Sequence, residues 1–506
     1  MYYVGLDIGT SSVKALLVSE DGEVARSATP EYPFQTPRPM WAETDPEVWW
    51  KATRDAVRSL LEGIEPGEIA AVGLTGQMHG MVALDGKGEV LRPCIMWNDQ
   101  RSFGECEEIT RMVGESEVLR ITGNPVLAGF TAPKILWLKK NEPELFSSID
   151  KVVLPKDFIR WRLTAEFFTD VSDASGTSLL DVGARKWSQE MLDALEWPLR
   201  WLPEVTESTK ATAKVSQAAS ESTGLPVGTP VIAGGGDQAA QAVGCGIVRE
   251  GMVSATLGTS GVVFAQSDEY RVEPQGKLHA FCHAVPGKWH LMGVMLSAAG
   301  SFQWYKNQLG REEQAIEDNG GENAYDLLTA PAQDVPPGSE GLVFLPYLSG
   351  ERTPHPDPHA RGCFVGLSVR HEKRHLTRSV LEGVSFGLND SLELMRGLGV
   401  SPEEIILSGG GTRSALWRQM LADVLSSRCS MVNAIEGAAY GAAVLAAVGC
   451  GAHPSVESAC GKWIRKTESV EPGEQRGAYG KYYSIYRSLY PALKDAFKSI
   501  SVSSEG

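Results

Sequence analysis

Six residues near the N-terminus recur half a chain later. Ile8-Gly9-Thr10-Ser11-Ser12-Val13 aligns with Leu257-Gly258-Thr259-Ser260-Gly261-Val262, at an offset of 249 in a chain of 506 residues. Each copy is a short Gly-Thr-Ser turn between β-rich segments. Val4–Ile8 and Val13–Val18 predict two strands joined by the turn Gly9–Ser12. A repeat at half the chain length predicts two related domains, each opening with a hairpin whose tip faces a shared cleft. The break falls near Gly244–Gly251, which divides the chain into 1–248 and 249–506. Apolar strand-like runs alternate with helical patterns nearly throughout, so the expected fold class is α/β.

Further elements follow from local signals. Thr44-Asp45-Pro46-Glu47 opens a helix that runs to about Glu62, with a capping side chain followed by proline. Ile69–Leu74 predicts a strand that ends in Thr75-Gly76-Gln77-Met78-His79-Gly80. Pro230–Ala233 predicts a buried strand entering Gly234-Gly235-Gly236-Asp237, then a small-residue helix from Gln238. Glu404–Leu407 repeats that design, with Gly409-Gly410-Gly411 and a helix through Leu416, Met420 and Leu421. Tyr479, Tyr482, Tyr483, Tyr486, Tyr490 and Phe497 have helical spacing and predict a C-terminal helix packed on the core. The chain holds 54 glycines, where average usage gives roughly 35. Part of that surplus sits in the turns just named.

Charge and composition narrow the function. With 47 Lys+Arg against 63 Asp+Glu, the net charge of −16 argues against nucleic-acid and polybasic membrane binding. The N-terminus carries no basic and apolar leader pattern, and the Ala-rich run Ala438–Val448 is too short to span a bilayer. Eight cysteines without a CxxC pair read as reduced thiols, so a soluble cytoplasmic enzyme is expected.

The turns suggest the chemistry. Glycines let backbone N–H groups approach a ligand, and adjacent hydroxyls add donors, so Gly9-Thr10-Ser11 and Gly258-Thr259 can cradle phosphate oxygens. Gly409–Gly411 would let a nucleotide lie against the backbone, with a helix N-terminus nearby. No GxxxxGK[ST] occurs, which excludes a P-loop. Asp7 directly precedes the first turn, where a carboxylate beside phosphates calls for an intervening cation such as Mg²⁺. Asp237 at a helix N-terminus is kept ionised, as a general base must be; an N-cap is the structural alternative. His79, Trp97, Asn98 and Asp99 offer the mixed donors, acceptors and aromatic face that a polyol needs. Two short patterns carry little: Gly234-x-Gly236-x-x-Ala239 lacks a ribose-binding acid, and His371-Glu372-Lys373-Arg374-His375 holds Lys and Arg between its histidines.

Together these residues resemble the FGGY family of carbohydrate kinases, within the actin-like two-domain ATPases. The stretch from Gly129 to Leu138 fits the first family signature. The second is fitted by Gly362 to Leu367, continuing through His375-Leu376 to Glu382. Within the family, Gly76 to Gly80, Trp97-Asn98-Asp99, Leu154-Pro155-Lys156-Asp157, Phe281 to Ala284, Trp289 to Met292 and the run from Phe344 to His355 resemble members that act on D-xylulose. The resemblance covers residue 1 to about 450. It implies two actin-like (ribonuclease H-like) α/β domains flanking a deep cleft. It also implies that Asp237 is the catalytic base and Asp7 the carboxylate of the phosphate and Mg²⁺ region. Met78 and His79 would line the sugar site, with Trp97, Asp99 and Gln238 beside it. Gly9, Thr10, Ser11, Gly258, Thr259, Gly409, Gly410 and Gly411 would hold ATP. Many relatives carry Asn where this chain has Gln238, which bears on sugar preference.

The reaction implied is ATP-dependent phosphorylation of D-xylulose to D-xylulose 5-phosphate, with ATP and Mg²⁺ as cofactors, and neither nucleic acid nor membrane as partner. The resemblance alone implies a homodimer. The alternatives are a family kinase for ribulose, gluconate or another polyol, a glycosidase using Asp7 and Asp237, and a non-catalytic actin-like ATPase.

Overall fold

The computed structural model describes residues 1–433 and 437–504. Two seven-stranded mixed sheets organise it, and six strands of each take equivalent places. In the first, the strand Tyr2–Ile8 pairs antiparallel with Val13–Ser19, which pairs in turn with Val24–Ala28. On its other side Tyr2–Ile8 runs parallel to Ile69–Gly76, followed by Pro230–Ile232 and the antiparallel edge Ala211–Lys214. In the second, Met252–Leu257 pairs antiparallel with Gly261–Ser267, and that strand with Trp289–Met295. Its other side runs parallel to Glu404–Ser408, then to Cys429–Val432, with Lys466–Val470 antiparallel at the edge. The repeated Gly-Thr-Ser turn thus marks equivalent hairpins in equivalent sheets.

The central strands are buried on both faces, so each sheet needs a layer on either side. The helix Pro46–Leu61 starts at an Asp45 cap, whose side chain accepts from the Glu47 N–H at 3.0 Å. It lays Trp49, Trp50, Val57 and Leu60 on one face of the first sheet, against Val4, Leu6 and Leu74. The opposite face is covered from the far end of the sequence. The helix Gly437–Gly449 has no charged residue, and it lies so close to the sheet that a Cβ on Gly73 would stand 1.9 Å from the Ala442 carbonyl. Only a glycine permits that approach. The segment 249–506 is therefore not self-contained: Gly437–Gly449 and the following helix Val456–Trp463 return to the first sheet.

The second sheet carries the larger core, which includes the long helix Lys373–Gly397 and the C-terminal helix Arg476–Ser504. Tyr479, Tyr486 and Phe497 of the latter are buried in it. Among the described residues, all eight cysteines are unpaired and no helix is long and apolar enough to cross a membrane.

Candidate active site

Sheet register brings the two predicted carboxylates together. Asp7 stands opposite Thr75 and Ile8 opposite Gly76 on the parallel neighbour strand. Gly235 and Gly236 pair with the same Thr75 and Gly76 from the other side. Asp237 follows at once, so both carboxyls project from the C-terminal ends of parallel strands, where ligands of open α/β sheets bind. The sharp entry depends on Gly234, at φ 76°, where a Cβ would meet the Leu74 carbonyl at 1.8 Å. Gly236 itself occupies the helix N-cap and Asp237 is the first helical residue, so the carboxylate is not the cap.

The proximity is electrostatically visible. Burial raises the Asp237 pKa to about 7, with the Asp7 charge adding to the rise and the Gln238 backbone and side chain opposing it. Burial raises Asp7 to about 6, against the pull of Lys14.

The first turn sits beside this pair. Its Gly9 carbonyl accepts from the Tyr32 hydroxyl at 2.7 Å and the Gln77 side-chain amide at 3.0 Å, which fixes the turn from beneath. Ser11 is exposed and Thr10 half-buried. The Trp97 indole N–H donates to Thr10 Oγ1 at 3.0 Å, which places Trp97 on the rim of this turn. In the second turn the carbonyls of Gly258 and Thr259 accept from Ala299, Ala298 and Gly300 N–H groups. The glycine triplet touches it: a Cβ on Gly409 would lie 2.5 Å from the Leu257 carbonyl. Gly258, Thr259, Gly410 and Gly411 line one cavity of about 560 Å³, together with Gln303 and Asn323. Neither of the last two is marked in sequence, because Asn323 reads only as the helix cap it also is.

An apolar and aromatic wall runs away from Asp237. A Cβ on Gly236 would meet Met78 Cγ at 2.9 Å, and Met78 packs with Phe130, Phe281 and Met292. His79 stacks on Phe130 with ring centroids 4.5 Å apart. Its Nδ1 faces the Gly176 carbonyl at 2.7 Å. Burial holds its pKa down to about 3 despite that bond. A neutral ring that donates through Nδ1 keeps Nε2 as an acceptor for a hydroxyl. The His79 carbonyl takes Lys134 Nζ at 2.9 Å, and burial lowers that lysine to about 7.

Asp99 stands apart from this set. It is fully buried, and its carboxylate is committed to Arg101 at 2.7 Å and to the Ala42 N–H at 2.6 Å. The structure gives it a structural ion pair where a sugar ligand was expected. The Arg two positions on was the sequence signal for that role. His371 and His375 likewise serve a helix start, each accepting a backbone N–H at 2.9 Å through Nδ1. Phe130 and Phe281 were not singled out as site residues, since isolated aromatics read as core.

Comparison with known proteins follows the same division. The FGGY carbohydrate kinase N-terminal domain model matches residues 2–244 and the C-terminal domain model residues 253–450. The chain is 42% identical over 492 residues to a xylulose kinase of Escherichia coli (strain K12), covering 97% of this chain and 99% of that one. It is 39% identical over 494 residues to a xylulose kinase of Lactococcus lactis, covering 97% and 96%. The solved structure of a xyloylose kinase from Brucella ovis superposes with a TM-score of 0.89 at 38% identity, covering 98% of this chain and 100% of that one. With two sheets in which six strands take equivalent places, a glycine turn beside the carboxylate pair in the first, a glycine-lined cavity in the second and family models matching both halves, the chain belongs to the FGGY family of carbohydrate kinases.

Proposed function

We propose that this chain transfers the γ-phosphoryl group of ATP to the 5-hydroxyl of D-xylulose, with Asp237 as general base. The observation that carries the reading is the junction of the two halves. One helical turn beyond Asp237, the Gln241 amide reaches Thr256 Oγ1 at 3.3 Å, two residues before the second phosphate turn. The base and the nucleotide cavity are thereby tied to one structural contact. The named relatives act on xylulose by their own descriptions, which supports the choice of sugar.

In this mechanism O5 attacks the γ-phosphorus in line as its proton passes to the Asp237 carboxylate. The O5–P bond forms while the P–O bond to ADP breaks. Because such transition states are loose, catalysis rests mainly on positioning and charge stabilisation. His79 Nε2 accepts a sugar hydroxyl, Met78 packs on the carbon chain, and Gln238 orients Asp237 from beside it. Thr10, Ser11 and Thr259 present hydroxyls and N–H groups to the phosphates, and Gly409–Gly411 carry the adenosine. Asp7 suits a divalent cation: it is a hard oxygen donor on the residue before the phosphate turn, with Lys14 acting on its charge. Mg²⁺ bound there would offset phosphate charge.

Adding D-xylulose is expected to stimulate ADP release from ATP and to yield D-xylulose 5-phosphate in a coupled assay. A panel of ketoses, aldonates and polyols ranks the sugars. Preference for an aldonate, or ADP release indifferent to sugar, would overturn the reading.

The raised Asp237 pKa sets a pH dependence. The base works only ionised, so kcat/KM for sugar should fall as pH drops below about 7. Asp7 contributes to that elevation, and Asp7→Asn should move the acidic limb to lower pH on its residual activity. A limb that stays in place in the variant argues against the coupling.

A further inference from the structure

Arg352 is a cation whose guanidinium finds no ion pair among the described residues. It lies in the loop between Tyr347 and Arg361, in the second half of the chain, and is solvent-exposed. Among the described residues its guanidinium makes no ion pair or hydrogen bond, although Glu351 is its neighbour. Glu351 Oε1 instead accepts the N–H groups of Leu296 and Arg352 itself, both at 2.8 Å. The backbone on either side of Arg352 is therefore fixed. Thr353 N–H donates to the Val294 carbonyl at 3.0 Å, Val294 N–H to Thr353 Oγ1 at 3.1 Å, and Thr353 Oγ1 to the Lys277 carbonyl at 3.0 Å.

Those anchors place the residue at the end of the apolar and aromatic wall. Val294 packs against the cluster of Met78, Phe130, Phe281 and Met292, and Met292 pairs with His279 across the hairpin. His279 stacks on Phe281 at 5.5 Å and lies 6.1 Å from Phe130, which carries His79 on its face. The wall thus runs from Asp237 through Met78, His79 and Phe130 to His279 and Arg352. The charge of Arg352 acts on both histidines and helps hold them neutral. At the other end, the charged groups that act on Asp237 and Asp7 are Asp7 and Lys14 respectively.

We propose that Arg352 binds the C1–C2 end of the sugar, donating to the ketone oxygen while O5 lies at Asp237. This rests on the assignment of D-xylulose above. Chemistry favours that partner. Furanose closure of a 2-ketopentose consumes O5, so phosphorylation at O5 requires the open chain and leaves the C2 ketone free as an acceptor. A guanidinium offers two parallel donors to such an oxygen and the adjacent hydroxyl. Arg352 would then be the group by which the second half of the chain selects an open-chain ketose over the corresponding pentitol.

The test compares Arg352→Gln and Arg352→Lys with wild type, using D-xylulose as substrate and xylitol, which lacks the ketone, as competitive inhibitor. Loss of one charge-assisted hydrogen bond corresponds to about 10- to 100-fold. Arg352→Gln should raise KM for D-xylulose by that factor, leave the xylitol inhibition constant in place, and leave KM for ATP unmoved. Arg352→Lys should recover part of the loss. If KM and the xylitol constant rise together, or neither changes, the inference is overturned. A wild-type enzyme inactive on D-xylulose would instead overturn the substrate reading itself.

Discussion

Asp237→Ala lowers kcat for D-xylulose phosphorylation by about 10²- to 10⁴-fold, the range for removing a positioned general base. The loss falls on the chemical step for a structural reason. Asp237 is the first residue of its helix and Gly236 is the cap, so the carboxylate is not needed to start the helix. The cavity lined by Gly258, Thr259, Gly410 and Gly411 belongs to the other sheet and is untouched. ATP should therefore still raise the melting temperature of the variant, while rapid-quench measurement shows no burst of sugar phosphate. Asp237→Asn keeps the shape and loses the base, so it should be as slow as Ala. Turnover near wild type in either variant would remove Asp237 from the mechanism.

How much of this was legible in sequence depended on whether the signal was local. The turns Gly9–Ser12 and Gly258–Ser260 are local, and their repetition predicts two hairpins; the structure adds that four further strands take equivalent places in each sheet, although the edge strand precedes its neighbour in sequence in the first and follows it in the second. The pairing of Asp7 with Asp237 could be inferred only through the shared neighbour strand Ile69–Gly76, whose register no single-sequence pattern reveals. The helix Gly437–Gly449 reads as buried because it lacks charge, but which sheet it covers depends on glycines at positions 5 and 73, hundreds of residues away. A polar residue at a strand end looks the same in sequence whether it faces a cleft or, as Asp99 does, a buried arginine. Burial of charge is not legible in the segment from Lys156 to Asp173. Lys156 and Arg160 on the helix Pro155–Thr164, and Asp170 and Asp173 just beyond it, are all fully buried, and no local pattern marks them so.

That buried cluster stands directly behind the glycine turn Gly234–Gly236, and its largest expected effect is on stability. Lys156 Nζ lies 2.6 Å from Asp157, 2.9 Å from Asp170 and 3.3 Å from Asp173. Burial pulls its pKa down, but the three carboxylates outweigh burial and hold the ammonium charged. Asp170 Oδ2 also accepts from Ser172 Oγ at 2.5 Å, and Ser172 Oγ accepts the Gly236 N–H at 3.1 Å. Arg160 completes the brace by donating to the Ala233 carbonyl at the entry to the glycine turn.

Lys156→Met would leave three buried carboxylates facing one arginine. Breaking a buried ion pair from one side costs about 3–5 kcal/mol, because the stranded charge stays desolvated. The urea midpoint of the variant should drop accordingly at pH 7. Its pH dependence is a second signature. Stranded carboxyls have folded pKa values above their unfolded ones, as burial and mutual repulsion already make true of Asp173. Their neutral forms suit the fold, so the variant should lose stability as pH rises and approach wild type under acid conditions. Adding Asp173→Asn removes one stranded charge and should restore part of the loss, a coupling expected between neighbours in one network. A Lys156→Met protein as stable as wild type at pH 7 would mean that the carboxylates find protons or water at little cost. The glycine turn would then not depend on the charges behind it.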